Sequence, residues 1–180
     1  KSDITFDILL TAKDTIKLIL LLRNLCYREF NAKVAIADDY YNKLIRLLTT
    51  NQDQHDNTAA FADKVKMRYD VFKAAGGSFA TPNLIEYAIS RNKDVNMSIV
   101  EFFNLSKAKP TEAATMEKIV KSAEEIMLAT IMVKNCNQKL YNNIDENLRM
   151  DFAKGMDNKP LTVTDAQETL NQFRKAKQNN

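Results

Sequence analysis

His55, Cys26 and Cys136 are the side chains with the clearest potential for chemistry in this chain. A cysteine–histidine pair makes a nucleophile when the imidazole takes the thiol proton. The contexts argue against that use. His55 lies in "TTNQDQHDN" (Thr49–Asn57), nine polar residues with no hydrophobic period, which read as an exposed loop. Cys26 and Cys136 each sit among apolar residues at helical spacing; a single disulfide is one reading, and two separate buried thiols of a reducing compartment is the better one. A lone histidine, with neither cysteine partnered at two-to-four spacing, gives no zinc pattern. "AAGGS" (Ala74–Ser78) is a two-glycine turn without the Gly-Lys-Ser/Thr of a phosphate loop. Glu124 and Glu125 in "AEEI" read as a solvated helix face. Tyr40-Tyr41 could stack on nucleobases, yet only Lys43 and Arg46 follow, so packing is the better reading. Seven methionines could line a soft binding groove, but most, such as Met116 and Met127, fall on apolar stripes and read as core filler. No catalytic residue, metal site or cofactor is expected, and the chain reads as a non-enzyme.

The elements that hold these residues are helical. With 180 residues, 45% hydrophobic, the chain can build a core as one domain or two small ones. A formal charge of +3 is too small to mark a dedicated nucleic-acid-binding domain. The longest apolar run, "LILLL" (Leu18–Leu22), lies between Lys17 and Arg23, far short of the roughly 20 residues a membrane span needs. "KSDITFDILL" lacks the parts of a signal peptide. A chain opening on Lys1 reads as a fragment, so missing targeting signals carry no weight.

Only three glycines and three prolines interrupt the 3.6-residue period, which predicts an all-α fold of about seven to nine helices. A first helix is expected over Asp3–Phe30, with a break near Asn31. The second carries Ile36, Tyr40, Leu44 and Leu47. After the polar loop, Asn57 or Thr58 caps a helix bearing Phe61, Val65, Tyr69 and Phe72, and Gly76-Gly77 ends it. Thr81-Pro82 restarts the chain, threonine as cap and proline at the first helical position. A further helix turns Ile99, Phe102 and Phe103 inward. Pro110 then opens the stripe of Met116, Val120, Ala123, Met127 and Ile131. A second stripe of Leu140, Ile144, Leu148 and Phe152 follows a break at "KNCNQK" (Lys134–Lys139), which is weak in helix propensity.

The sharpest local signal comes near the end. Gly155 caps the helix that carries Phe152, and Pro160 prevents its continuation. Thr164 with Gln167 forms a capping-box pattern that starts a last helix with Ala166, Leu170 and Phe173 inward. Phe152, Gly155, Pro160, Thr164, Leu170 and Phe173 therefore define a corner that folds the last helix back. Arg174, Lys175 and Lys177 follow it, where cations suit the negative end of the helix dipole.

Three stretches in this order resemble the Gag polyprotein's capsid-like region in copia-type LTR retrotransposons. They are the closing one (Leu148, Phe152, Gly155, Asp157, Pro160, Thr162, Ala166, Leu170), "VFKAAGGSFATPNLIEYA" (Val71–Ala88), and "LRNLCYRE" (Leu22–Glu29) with the later "AFADKVKMRYDVF". The resemblance spans roughly Thr15 to Lys175, and it is the order of degenerate patterns that is specific. It implies a retroviral-capsid-like structure: two small helical lobes or one elongated bundle, with lobes at 1–80 and 81–180. It also implies self-assembly into a cytoplasmic, virus-like shell that packages the element's RNA, with the chain itself as main partner and no membrane. RNA contact falls to diffuse charge such as Arg174, Lys175 and Lys177, because no cysteine–histidine zinc knuckle is present. The alternative is a helical protein- or RNA-interaction module, a nucleoprotein or adaptor of a virus or mobile element.

Overall fold

The computed structural model describes residues 32–178 except 142, with side chains described over 36–174. The helix expected over Asp3–Phe30, the break near Asn31 and Cys26 lie outside the described residues. The chain divides into two compact units, Lys1–Asn42 and Lys43–Asn180. The described residues are all-helical: eight helices, no strand. In order they are α1 (Ala32–Leu48), α2 (Thr58–Ala74), α3 (Pro82–Arg91), α4 (Ile99–Asn104), α5 (Pro110–Asn135), α6 (Gln138–Tyr141), α7 (Ile144–Ala153) and α8 (Val163–Gln178).

Of the first unit only residues 32–42 are described, as the beginning of α1. Ile36 and Tyr41 are exposed there, which corrects the expected packing role of the tyrosine pair for Tyr41. The later residues of the same stripe belong to the second unit, where Leu47 is buried and Leu44 half-buried.

In the second unit α5 is the spine. Its 26 residues begin with Pro110 at the first turn, where a missing N–H costs nothing, and end as Cys136 turns extended. The expected break at Lys134–Lys139 is there. Two apolar clusters form along this helix. Its middle contributes Ile119, Ala123 and Ile126, which pack with Ile85, Ala88 and Ile89 of α3 and Phe102 of α4. Its C-terminal half contributes Leu128, Ala129, Ile131, Met132 and Val133 to a larger cluster with residues of α2, α7 and α8. Each fully buried large side chain stabilises the fold by roughly 1.5–3 kcal/mol. One helix serves both clusters, and the boundary expected between 80 and 81 falls inside this single compact unit.

The ends of these helices follow local chemistry. Asn57 caps α2 by accepting from the Ala60 N–H at 2.7 Å. Ser98 and Glu101 form a reciprocal capping box on α4. Thr81 and Pro82 start α3 as expected, although the threonine side chain makes no capping bond. α2 ends in a left-handed Gly76, whose N–H bonds to Lys73 O at 2.9 Å while the Gly77 N–H reaches Phe72 O at 3.0 Å. This is a Schellman closure.

Three expectations about faces need correction. Phe103 is 57% exposed, because adjacent helical positions lie about 100° apart and Phe102 already occupies the inward one. Phe152 is 55% exposed, beyond the point where the Ile144 and Leu148 face meets the core. The polar segment Thr49–Asn57 is not wholly solvated: Thr50 and Gln52 are buried. The Gln52 side chain donates to Tyr141 Oη and Asp56 O, both at 3.0 Å, and accepts from the Asn137 N–H at 3.2 Å. The Gln52 N–H donates to Asn135 O at 3.1 Å, and Asn135 Nδ2 to Leu48 O at 2.6 Å. Every polar atom of that buried amide is thereby used, which is the condition for burying it. His55 stays exposed in the same segment.

Candidate functional site

The corner after α7 was the strongest expected feature, and its parts are placed as follows. Gly155 has φ +83°. Its N–H bonds to Phe152 O at 3.0 Å, and the Met156 N–H bonds to Asp151 O at 2.9 Å, a second Schellman closure. Pro160 is half-buried. The capping box of α8 lies two residues earlier than Thr164 and Gln167. Thr162 is the cap, its hydroxyl accepting from the Asp165 N–H at 3.1 Å while the Asp165 carboxylate accepts from the Thr162 N–H at 3.1 Å. Both patterns place a short oxygen three residues before a longer acceptor. Val163 decides between them, because it is fully buried and must already be helical to reach the core. Ala166 and Leu170 are buried, and Phe173 packs on the same cluster. Phe152 is brought to the corner but not into the core; Lys159 Nζ sits 4.5 Å above its ring.

Polar ties that no periodic pattern signals set the corner's position. Arg91 of α3 pairs with Asp157 at 2.7 Å. The other Asp157 oxygen is buried without a hydrogen bond. Burial, then the charge of Asp157, raise the Tyr87 pKa above its usual value. Glu125 of α5 accepts from the Val163 N–H at 3.0 Å and so satisfies a donor of the first turn of α8. At the other end Thr58 donates its hydroxyl to Asn171 at 2.7 Å, tying α8 to the start of α2.

Glu124 corrects the reading of "AEEI" as a solvated face. It is 5% exposed. Lys73 of α2 approaches it at 3.0 Å, and Ser78 donates to it at 3.2 Å. The Tyr69 hydroxyl is buried with no hydrogen-bond partner. Burial first, then the neighbouring Glu124, hold its pKa well above the ordinary tyrosine value. An open cleft of about 410 Å³ runs beside this group, between α2 and α5. Its lining mixes Lys66, Lys73 and Lys121 with Asp70, Glu117 and Glu125, so it favours neither sign of ligand.

Cys136 is not set up as a nucleophile. The Cys136 thiol is buried, donates to Val133 O at 3.2 Å, and is pushed up to about 12, chiefly by burial. A thiol so shielded is a core residue rather than a reactive one. No group of three His, Cys, Asp or Glu among the described residues could hold a metal ion. No described helix is long and apolar enough to cross a membrane. Of the expected RNA contacts, Arg174 is half-buried, while the side chains of Lys175 and Lys177 lie outside the described ones.

Large apolar side chains are exposed in groups on three separate stretches of the second unit, and Ile45 of α1 is exposed singly. Met67 and Val71 stand one turn apart on α2, Val100 and Phe103 three residues apart on α4, and Met150, Phe152 and Met156 around the Gly155 corner. Periodicity alone missed them because it assigned Phe103 and Phe152 to the core. No family model, curated protein or solved structure matches the chain.

Proposed function

We propose that this chain is a structural, capsid-like protein of the Gag type, which associates with copies of itself into a shell that packages retroelement RNA. One observation carries the reading: the outward apolar side chains grouped at three places on an all-helical unit. Single exposed apolar residues are ordinary on any surface. Grouped ones form small patches that suit weak, repeated contacts, and a lattice gains its stability from many such contacts acting together. The motif order in the sequence gives the association its class. RNA contact is assigned to the end of α8, at Arg174, Lys175 and Lys177, and is expected to weaken steeply with salt as counterions are released.

Sedimentation velocity over a concentration and salt series, with electron microscopy of the same samples, tests the proposal. Concentration-dependent association and regular particles are expected. A strict monomer at high concentration in all salts would overturn it, and a sharp 1:1 complex with a different protein would turn the assignment to an interaction module.

A further inference from the structure

We infer that an exposed flank of α2, whose Lys66, Asp70 and Lys73 also border the open cleft toward α5, is a two-fold contact that pairs antiparallel with α2 of a second copy; this inference rests on the proposed self-assembly. The charge order along the helix supports the pairing. Asp63, Lys66, Asp70 and Lys73 follow one another at steps of three or four, with alternating sign, and all four are exposed. Such steps place them along one flank of the helix. Asp63 and Lys73 stand at equal distances on either side of Arg68, and so do Lys66 and Asp70. A two-fold axis crossing the helix near Arg68 reverses the partner and brings this flank against itself. Asp63 then faces the second copy's Lys73, and Lys66 faces its Asp70. Every facing pair is of opposite sign. A parallel pairing in register would set each charge against its own like.

Exposed apolar side chains stand beside this axis. Met67 and Val71, both exposed, lie next to the charged flank near the middle of α2. Small residues occupy the exposed positions toward either end, Ala60 and Ala74, and allow two helices to approach closely. Asp63, Lys66 and Asp70 form no ion pair with any other described residue, so their charges are available to a partner. Lys73 already meets Glu124, but its side chain remains 57% exposed and an ammonium has three donors. One 17-residue helix pair buries less than the roughly 1,200–2,000 Å² of a stable interface, so this contact is weak alone and gains strength by repetition. The patches at Phe103 and at Phe152 show no comparable order of charges.

A charge-swap experiment on the full chain tests the pairing. Lys66→Glu alone sets two carboxylates against each other twice across the axis, and Asp70→Lys alone does the same with two ammonium groups. Both positions are exposed, so circular dichroism is expected to match the parent. Each single variant should dimerise about tenfold more weakly in sedimentation velocity, since like charges facing each other are penalised. An equimolar mixture should regain the parental association, because both facing pairs become opposite again. If the parent associates and the single variants associate equally well, or if the mixture stays as weak as its components, the α2 pairing is wrong while self-assembly stands. A parent that remains monomeric throughout removes both.

Discussion

Two glycine corners turn this chain, and they share their local geometry while differing in everything around it. Gly76 and Gly155 have φ values of +86° and +83°, and both follow a helix through the same pair of Schellman hydrogen bonds. An added side-chain carbon at either would meet nothing within 4 Å. Beyond the glycine they part. After Gly76 the chain dives inward: Gly77 lies against the Phe72 ring, Phe79 packs 5.3 Å from Phe72 and stacks 5.8 Å from Tyr69, and Ser78 reaches Glu124. After Gly155 it stays outside: Met156 faces solvent, as Phe152 does before the turn, and the tie to the fold is the Arg91–Asp157 pair. One corner is held by aromatic packing, the other by an ion pair and the caps of the following helix. The backbone signal says where a chain turns; the next few side chains say what the turn leans on.

Substitutions can break or sharpen this contrast, and the largest effect belongs to the buried corner. Phe72→Ala should cost roughly 3–5 kcal/mol in chemical denaturation, as expected for a fully buried ring. Gly77→Ala comes next, at about 1–3 kcal/mol, because the new methyl would lie 2.3 Å from a ring that the core holds in place. The matched pair Gly76→Val and Gly155→Val should cost about 1–2 kcal/mol each, since both carry the left-handed strain and neither meets a neighbour. Thermal melts of the two side by side check this, and a difference beyond about 1 kcal/mol would show that the corners are not equivalent even locally. The smallest effect is Phe152→Ala, within about 0.5 kcal/mol for an exposed side chain, so any loss of assembly by that variant reports a contact rather than the fold.

A separate check concerns the thiol. Peptide-mapped alkylation at pH 8 should leave Cys136 unmodified in the native protein and modify it after denaturation, because burial keeps the thiol protonated. The sign follows from the raised pKa: the folded state holds the proton that the unfolded chain releases near pH 9, so this contribution to stability is complete below about 9 and declines as pH rises toward about 12.

Much of the fold was legible because breakers are so scarce. Gly76, Pro82, Pro110 and Gly155 each terminate or start a helix where the backbone requires it, and the break at Cys136 follows from weak propensity alone. The side of each helix that packs was less legible. Phe103 and Phe152 extend apolar stripes in sequence, yet a stripe does not record where its neighbour helix ends. Buried polar groups were least legible. Gln52 and Glu124 look solvated by composition, and their partners Tyr141 and Lys73 are remote in sequence. Nor does any local rule announce that Glu125 would cap a helix 38 residues away.

The adjacent carboxylates of α5 have a mechanical consequence. Glu124 grips the turn after α2 and Glu125 grips the first turn of α8, so two hinges of the bundle hang from consecutive rungs of one rod. A twist or slide of α5 strains both grips in the same motion. Loosening at one hinge is therefore felt at the other, and a disturbance on the α2 side has a short route to the last helix.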